Sequence, residues 1–360
     1  MPAWALEIDK ADIRKAEIIE VHPETLGEGE VRLKLDRFAL TANNITYAAF
    51  GEVMRYWDFF PASASNKGRL PVWGFAEITE SRHPALGVGE RVYGYFPAAS
   101  ELVVQADKIT PAGFIDVSAH RAELAAPYNR YVRCAGDAAY SASHEAEQMV
   151  LQPLFLTGWL LARYLNAEKG FGAEQVFLTS ASSKTAIGMA KCLRDENPAG
   201  VEVVGLTSQG SRDFVERLGL YDRVVTYADI PELSLGTASA IVDFAGNADI
   251  NRALHQRLAR DLTVNIRVGG AHWEDSTPAP DLPGPKPSFF FAPDHVQRVI
   301  AELGAGGFQS AYGQSWLDFA GRAKSWLTFR EFNGADACLD IYNKLIAGDA
   351  MARDGLVISA

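Results

Sequence analysis

From about residue 150 the chain alternates short apolar runs with helical segments, and this alternation constrains the fold more than any other feature. The runs lie at 176–180, 201–207, 223–227, 239–245 and 262–268. Apolar runs of that length, bounded by turn formers, read as buried strands. Helical segments at 184–195, 211–218 and 248–260 separate most of them, and the connection at 228–236 is short. In the third segment Ile250, Leu254 and Leu258 recur every four residues, the spacing of one helix face. Before the first run, Pro153 is expected to open a helix with Leu154, Gly158, Leu161 and Leu165 on one side. Strand–helix–strand repetition predicts a parallel sheet with helices on both faces and right-handed crossovers.

The first 110 or so residues have a different texture. In Glu30–Asp36, Val31, Leu33 and Leu35 alternate with charged residues, which is the pattern of a half-buried strand. Val72–Thr79, Arg91–Phe96 and Ser100–Gln105 are further strands. Thr41 to Phe60 is rich in aromatic and small residues without a clear period and reads as a loop or short helix. Ser276–Pro287 is a proline-rich loop. A helix from Pro293, a last helix near 335–346 and a closing strand at 355–359 complete the chain.

A chain of 360 residues accommodates two domains. Lys and Arg total 34 against 45 Asp and Glu, a net charge of −11, which argues against a nucleic-acid surface or a polybasic membrane patch. Cys134, Cys192 and Cys338 form no CxxC pair, so neither a four-cysteine zinc lobe nor a disulfide framework is expected. The seven histidines form no pair at ligand spacing and read mostly as surface residues. No apolar run reaches the length of a spanning helix. The N-terminal residues lack the layout of a secretory signal, so a cytoplasmic location is expected.

The chemistry centres on Gln175–Ala190, where a strand, a tight turn and a helix N-terminus follow one another. That order presents backbone N–H groups to a phosphate. Ser182 or Ser183 suits the N-cap, Lys184 adds a charge, and Ser180 and Thr185 add donors. The same residues equally suit a plain helix cap with a solvated lysine. One strand further on, a dinucleotide unit that holds a free ribose 2′-hydroxyl places Asp or Glu. Here Thr207, Ser208, Ser211 and Arg212 stand instead, which favours a 2′-phosphate and hence NADP(H). Ala245-Gly246-Asn247 and the turn with Gly269, Gly270 and His272 end the next strands; their glycines permit close ligand approach or simply make turns. For reduction of a C=C or C=O bond a proton donor is required. Tyr47 and Tyr56, following Asn43-Asn44, have the right chemistry, although tyrosines also serve as packing residues.

In order, these pieces resemble the medium-chain dehydrogenase/reductase superfamily on its zinc-free quinone- and enoyl-reductase side. The resemblance rests on Gly29–Leu35, Ala42-Asn-Asn-Ile45, Leu86–Val92, Gln152–Leu160, Ser239–Gly246 and Asp354–Ser359. Thr41–Tyr47, Arg55–Pro61, Pro71–Ala76 and Leu178–Thr185 are similar to the signatures of a divergent family of uncharacterised bacterial proteins related to it.

The resemblance implies an α/β protein with a GroES-like β-rich catalytic domain, residues 1–150 completed by about 321–360, and a Rossmann doubly wound domain at 151–320. It further implies Thr157 beside the nicotinamide, a substrate near Asn44, Tyr47, Tyr56, Trp57 and the 269–273 turn, and a homodimer. No histidine stands near Gly74–Glu77, where the superfamily's zinc-binding His-Glu pair aligns, so metal-free chemistry is expected. The turn departs from the AxxGxxG pattern, since Ala181-Ser-Ser-Lys-Thr-Ala186 carries no glycine. The expected function is therefore NADP(H)-dependent reduction of an activated C=C, quinone or carbonyl, or else binding of another phosphorylated ligand without catalysis.

Overall fold

The computed structural model describes residues 2–137, 140–268 and 282–360. It divides into two compact units, Met1–Val150 with Leu327–Ala360 and Leu151–Trp326.

The first unit starts with β1 (Ala3–Asp9), paired antiparallel with β2 (Ala16–Val21). Then come β3 (Glu30–Leu40), α1 (Ala42–Ala49), β4 (Lys67–Arg69), β5 (Pro71–Ser81), β6 (Arg91–Pro97), β7 (Glu101–Thr110), β8 (Gly113–Asp116) and β9 (Arg130–Arg133). Neighbours run β3-β5-β6-β9-β8-β7, and β7 pairs back to β3, so the sheet closes into a barrel. Closure satisfies strand edges that would otherwise offer unpaired N–H and C=O groups. The alternation seen in the sequence fills the inside: Val31, Leu33 and Leu35 are buried and Lys34 is exposed. The aromatic stretch after β3 folds as α1 and a 3₁₀ turn at Tyr56–Phe59.

The long helix α2 (Glu145–Ala167) has Pro153 in its interior, not at its start as expected. Its first turn carries Glu145 and Glu147, which suit a helix N-terminus. The proline, which lacks an N–H, is thus accommodated inside the helix and does not mark its boundary.

The second unit then runs β10 (Gln175–Leu178), α3 (Lys184–Asp195), β11 (Glu202–Thr207), α4 (Arg212–Leu218), β12 (Arg223–Thr226), β13 (Ser239–Asp243), α5 (Ala248–Leu258), β14 (Leu262–Arg267), β15 (Ser288–Phe289) and α6 (Ala292–Arg322). Every strand pair is parallel and the order is β12-β11-β10-β13-β14-β15. This is the doubly wound Rossmann order, and its direction reverses between β10 and β13. Phe177, Val204, Leu206, Ile241, Leu254 and Leu258 form the core on one side of the sheet. Leu254 and Leu258 supply the buried face anticipated from their spacing.

The chain ends with β16 (Thr328–Asn333), α7 (Gly334–Ile346) and β17 (Asp354–Ser359) in the first unit. β17 pairs with Arg37–Leu40 of β3 beyond an irregularity between Leu35 and Arg37, while Glu30–Lys34 pair with β7. One long strand thus serves both the barrel and the closing pair. Among the described residues no helix is long and apolar enough to cross a membrane.

Gly158 of α2 sits against α3, where an added Cβ would lie 2.6 Å from Met189 N and 2.7 Å from Thr185 O. Both neighbours are backbone atoms and cannot yield cheaply. Gly158→Ala is expected to cost about 1–3 kcal/mol, read as a lower midpoint in urea denaturation.

Candidate functional site

Parallel pairing sets Leu178 opposite Gly205 and Val242, so the segments following β10, β11 and β13 gather at one end of the sheet. Ligands of open α/β sheets bind at such an end, near the strand-order reversal. In the first segment Ser183 caps α3, its hydroxyl accepting the Ala186 N–H at 3.3 Å. Lys184 and Thr185 begin the helix, and both are half-buried, as are Ser180 and Ser182. Ser180 takes a left-handed conformation with φ 50°, a geometry that costs a non-glycine residue roughly 1–2 kcal/mol. Its N–H donates to Tyr227 Oη at 2.9 Å.

Beneath this turn lies a polar network that the sequence reading did not anticipate. Thr179 Oγ1 donates to Asp243 Oδ1 at 2.7 Å and accepts the N–H groups of Phe244 and Ala245. Asp243 Oδ1 also accepts from Ala245 and Gly246, and Oδ2 from Asn251 Nδ2. Asn265 Nδ2 donates to Asn251 Oδ1 at 3.0 Å and to His255 Nε2 at 2.7 Å. His255 Nδ1 bonds the Pro283 carbonyl at 2.8 Å; a carbonyl only accepts, so Nδ1 carries the proton and Nε2 is the acceptor. His255 is fully buried, correcting the surface placement of histidines in this instance. Gly246, at φ 64°, belongs to this turn: its N–H is bound to Asp243, and Asn247 caps α5. The only sequence signal for the network was Asp243 interrupting an apolar run.

After β11, Thr207 is buried with its strand, so its hydroxyl is not offered at the surface as expected, whereas Ser208 is exposed. Arg212 opens α4, and its Nε bonds Glu216 Oε1 at 2.8 Å in a solvent-exposed pair. No carboxylate occupies positions 207 to 212. Thr157, half-buried on α2, turns its hydroxyl onto the Pro153 carbonyl at 3.3 Å. Gly269, Gly270 and His272 lie outside the described residues.

In the first unit the expected polar residues separate by role. Asn44 is buried and its side chain bonds at both ends: Oδ1 accepts the Thr41 N–H at 2.6 Å, closing a capping box, and Nδ2 donates to the Pro71 carbonyl at 2.7 Å. Through these bonds it fastens α1 to β5. Trp57 is likewise a packing residue, because an added Cβ at Gly51 or Gly68 would lie 2.1 or 2.3 Å from its indole ring. Tyr47 keeps chemical potential. Its Oη accepts Trp73 Nε1–H at 3.2 Å, and its ring stands 4.7 Å from that of Tyr56. Burial, reinforced by Tyr56, pushes the Tyr47 hydroxyl well above its ordinary value, while hydrogen bonds from Trp73 and Asn43 act in the opposite sense. Burial also raises Tyr56, against a hydrogen bond from Tyr128. Both stay protonated at neutral pH and are donors, not bases. Tyr95, in the same aromatic cluster, has a buried hydroxyl with no hydrogen-bond partner. Among the described residues no group of three or more His, Cys, Asp or Glu is placed to hold a metal ion.

A barrel closed through β3 and β7 makes the first unit GroES-like, and a parallel sheet in Rossmann order makes the second a Rossmann unit. The chain belongs to the family described as "Protein of unknown function (DUF2855)", which matches residues 38–351. No curated protein matches it in sequence. Among solved structures it is similar to CurA from Vibrio vulnificus, with 13% identity and TM-score 0.62 over 99% of this chain and 98% of that one. CurA from the same organism in complex with NADPH gives 13% identity and TM-score 0.60 over 96% and 94%. The yhdH oxidoreductase from Salmonella enterica in complex with NADP gives 12% identity and TM-score 0.55 over the whole of both chains. At these identities the shared property is the fold.

Replacing Asn44 by alanine orphans Thr41 N–H and the Pro71 carbonyl. A loss of about 1–3 kcal/mol is expected, measured as a lower thermal midpoint.

Proposed function

We propose that the protein is a metal-free, NADP(H)-dependent reductase of a small molecule bearing an activated C=C, quinone or carbonyl group. The observation that carries this reading is the end of β11, where Ser208, Ser211 and Arg212 stand in place of the carboxylate that holds a free ribose 2′-hydroxyl. Solved structures sharing the fold include CurA in complex with NADPH and yhdH in complex with NADP, which supports the same choice.

The residues fit such a cofactor in part. The capped first turn of α3, with Lys184, would take the pyrophosphate, and Arg212 the 2′-phosphate. Arg212 would first leave Glu216, an exposed i,i+4 partner whose pairing contributes little in water. A charge-assisted contact to phosphate is stronger, so the exchange is favourable. NADPH, when bound, supplies a hydride. Hydride delivery leaves negative charge on the substrate, and Tyr47 Oη would donate the proton that quenches it. The resulting tyrosinate would then be held by Trp73 Nε1–H and the Asn43 side chain, the two groups that already hydrogen-bond this oxygen.

A second reading, a phosphorylated-ligand-binding protein without turnover, is favoured by one observation. The Ser180 N–H is engaged by Tyr227 and is not available to a ligand. NADPH binding without hydride transfer to any enone, quinone or carbonyl compound would decide for it.

Arg212→Ala is expected to weaken NADPH binding roughly tenfold or more while NADH affinity changes little, because only NADPH carries the 2′-phosphate that a charged hydrogen bond would hold; titration of both nucleotides checks this. No NADPH binding at millimolar concentration by the wild type sinks the reading. Tyr47→Phe is expected to lower kcat by roughly a hundredfold or more at unchanged NADPH affinity. Because Tyr47 titrates well above its ordinary value, its proton is present below that raised pKa. The rate should therefore show no loss assignable to Tyr47 between about pH 6 and 9, measured as a pH profile of kcat.

A further inference from the structure

The turn after β10 adopts a left-handed conformation without a glycine. Ser180 has φ 50°, and a side chain there persists only where its surroundings hold it. Those surroundings are specific. Ser180 N–H donates to Tyr227 Oη at 2.9 Å, and Tyr221 Oη donates to the carbonyl of the next residue, Ala181, at 2.7 Å. Ala181 N–H donates to the Leu206 carbonyl at 2.9 Å, and Ser183 N–H closes back onto the Ser180 carbonyl at 2.7 Å.

The two tyrosines bracket β12, one on each side of it in sequence, and reach across β11 to the turn. Tyr227 packs its ring on the core cluster of Phe177, Val204 and Leu206. Tyr221 is buried, and its path depends on Gly205 of β11. A Cβ there would lie 2.9 Å from the Tyr221 ring and 3.1 Å from Ala181 Cβ. Gly205 is therefore small for a reason outside its own backbone: it leaves the gap through which Tyr221 reaches the turn.

We propose that Tyr227 and Tyr221, in the space left by Gly205, are positioning residues that hold the glycine-free turn at 179–183 in shape for a dinucleotide phosphate. The proposal rests on the NADP(H) reading for its ligand, but not for its geometry. It explains how a turn whose glycines are replaced keeps a glycine-type conformation. It also assigns the ligand's donors, because with Ser180 N–H engaged the phosphate must be met by the segment Ser182–Thr185.

The test combines NADPH titration with hydrogen exchange at the Ser180 amide, in the wild type, Tyr227→Phe, Ser180→Gly, the double variant and Gly205→Ala. Tyr227→Phe keeps the packed ring and removes only the hydroxyl. It should weaken NADPH binding about tenfold and speed exchange of the Ser180 amide, because the bond that protects this amide is gone. Ser180→Gly should bind within about twofold of the wild type, since glycine adopts this conformation unaided. The double variant should recover most of the affinity lost in Tyr227→Phe. Gly205→Ala should weaken NADPH binding in the same direction, by displacing Tyr221.

Unchanged affinity and unchanged exchange in Tyr227→Phe would overturn the proposal. So would a double variant as weak as Tyr227→Phe alone, since Tyr227 would then act by touching the ligand or through general stability. If the wild type binds no NADPH, the reductase reading fails. The exchange arm still decides the geometry: loss of Ser180 protection in Tyr227→Phe supports the lock, and unchanged protection overturns it.

Discussion

The Asp243 carboxylate sits out of water at the end of β13, where a charge is tolerated only if its oxygens are hydrogen-bonded. They are: Thr179, Ala245, Gly246 and Asn251 all donate to it. These donors belong to three pieces of chain, namely the end of β10, the turn after β13, and α5. One buried group thus fixes the two strands that flank the reversal of strand order, and it fixes them at the end where a ligand is expected. Through Asn251 and Asn265 the same network reaches the neutral His255, extending to β14. Each member has its partner supplied by another element, so the strand ends are set relative to one another before any ligand arrives.

This dependence explains what was legible in the sequence. Strands β10 to β14 and helices α3 to α5 were readable because each buries a continuous apolar run or a helix face, and burial leaves a pattern in composition. The strand Thr328–Asn333 was not readable, because it alternates little: Phe329 and Phe332 are three residues apart and most of its side chains are exposed. The start of α2 was obscured by Pro153, whose usual meaning as a helix opener did not apply within a long helix. The polar network left little more than Asp243 as a mark in the sequence, for a different reason. Thr179, Asp243, Asn251, Asn265 and His255 are scattered over more than seventy positions, and only parallel pairing of the strands brings them together.

The residues of the 41–60 stretch show why residue type alone cannot assign roles. Asn44 and Tyr47 are one helical turn apart and both are buried. Asn44 has neighbours that engage both its oxygen and its nitrogen, for a cap and for a tether to Pro71. Tyr47 has neighbours that donate to its oxygen and leave its proton uncommitted by those bonds. Burial disfavours the charged form of a phenol and keeps that proton in place at neutral pH, while donors aimed at the oxygen stabilise the anion left after transfer. The two effects oppose each other in pKa but serve the same chemistry, since a proton donor must hold its proton until negative charge develops beside it.

The strand-end turn poses the sharper physical question, which is what a chain gains or loses by building a left-handed turn from serine. Left-handed geometry costs Ser180 roughly 1–2 kcal/mol, and the hydrogen bond to Tyr227 returns about 0.5–1.5 kcal/mol. The balance lies near zero, so the turn is held in place without contributing strongly to stability. A glycine would avoid the strain but would leave the unfolded chain with more freedom to lose. The anchored serine therefore gives a turn that is ordered before a ligand binds, which lowers the ordering cost of binding. Its disadvantage is one donor, the Ser180 N–H, spent on the tyrosine. A phosphate at this end of the sheet would then meet fewer backbone N–H groups and more side-chain hydroxyl and ammonium groups. Recognition would consequently depend more on Ser182, Ser183, Lys184 and Thr185 as particular residues than it does where glycine backbone alone forms the cradle.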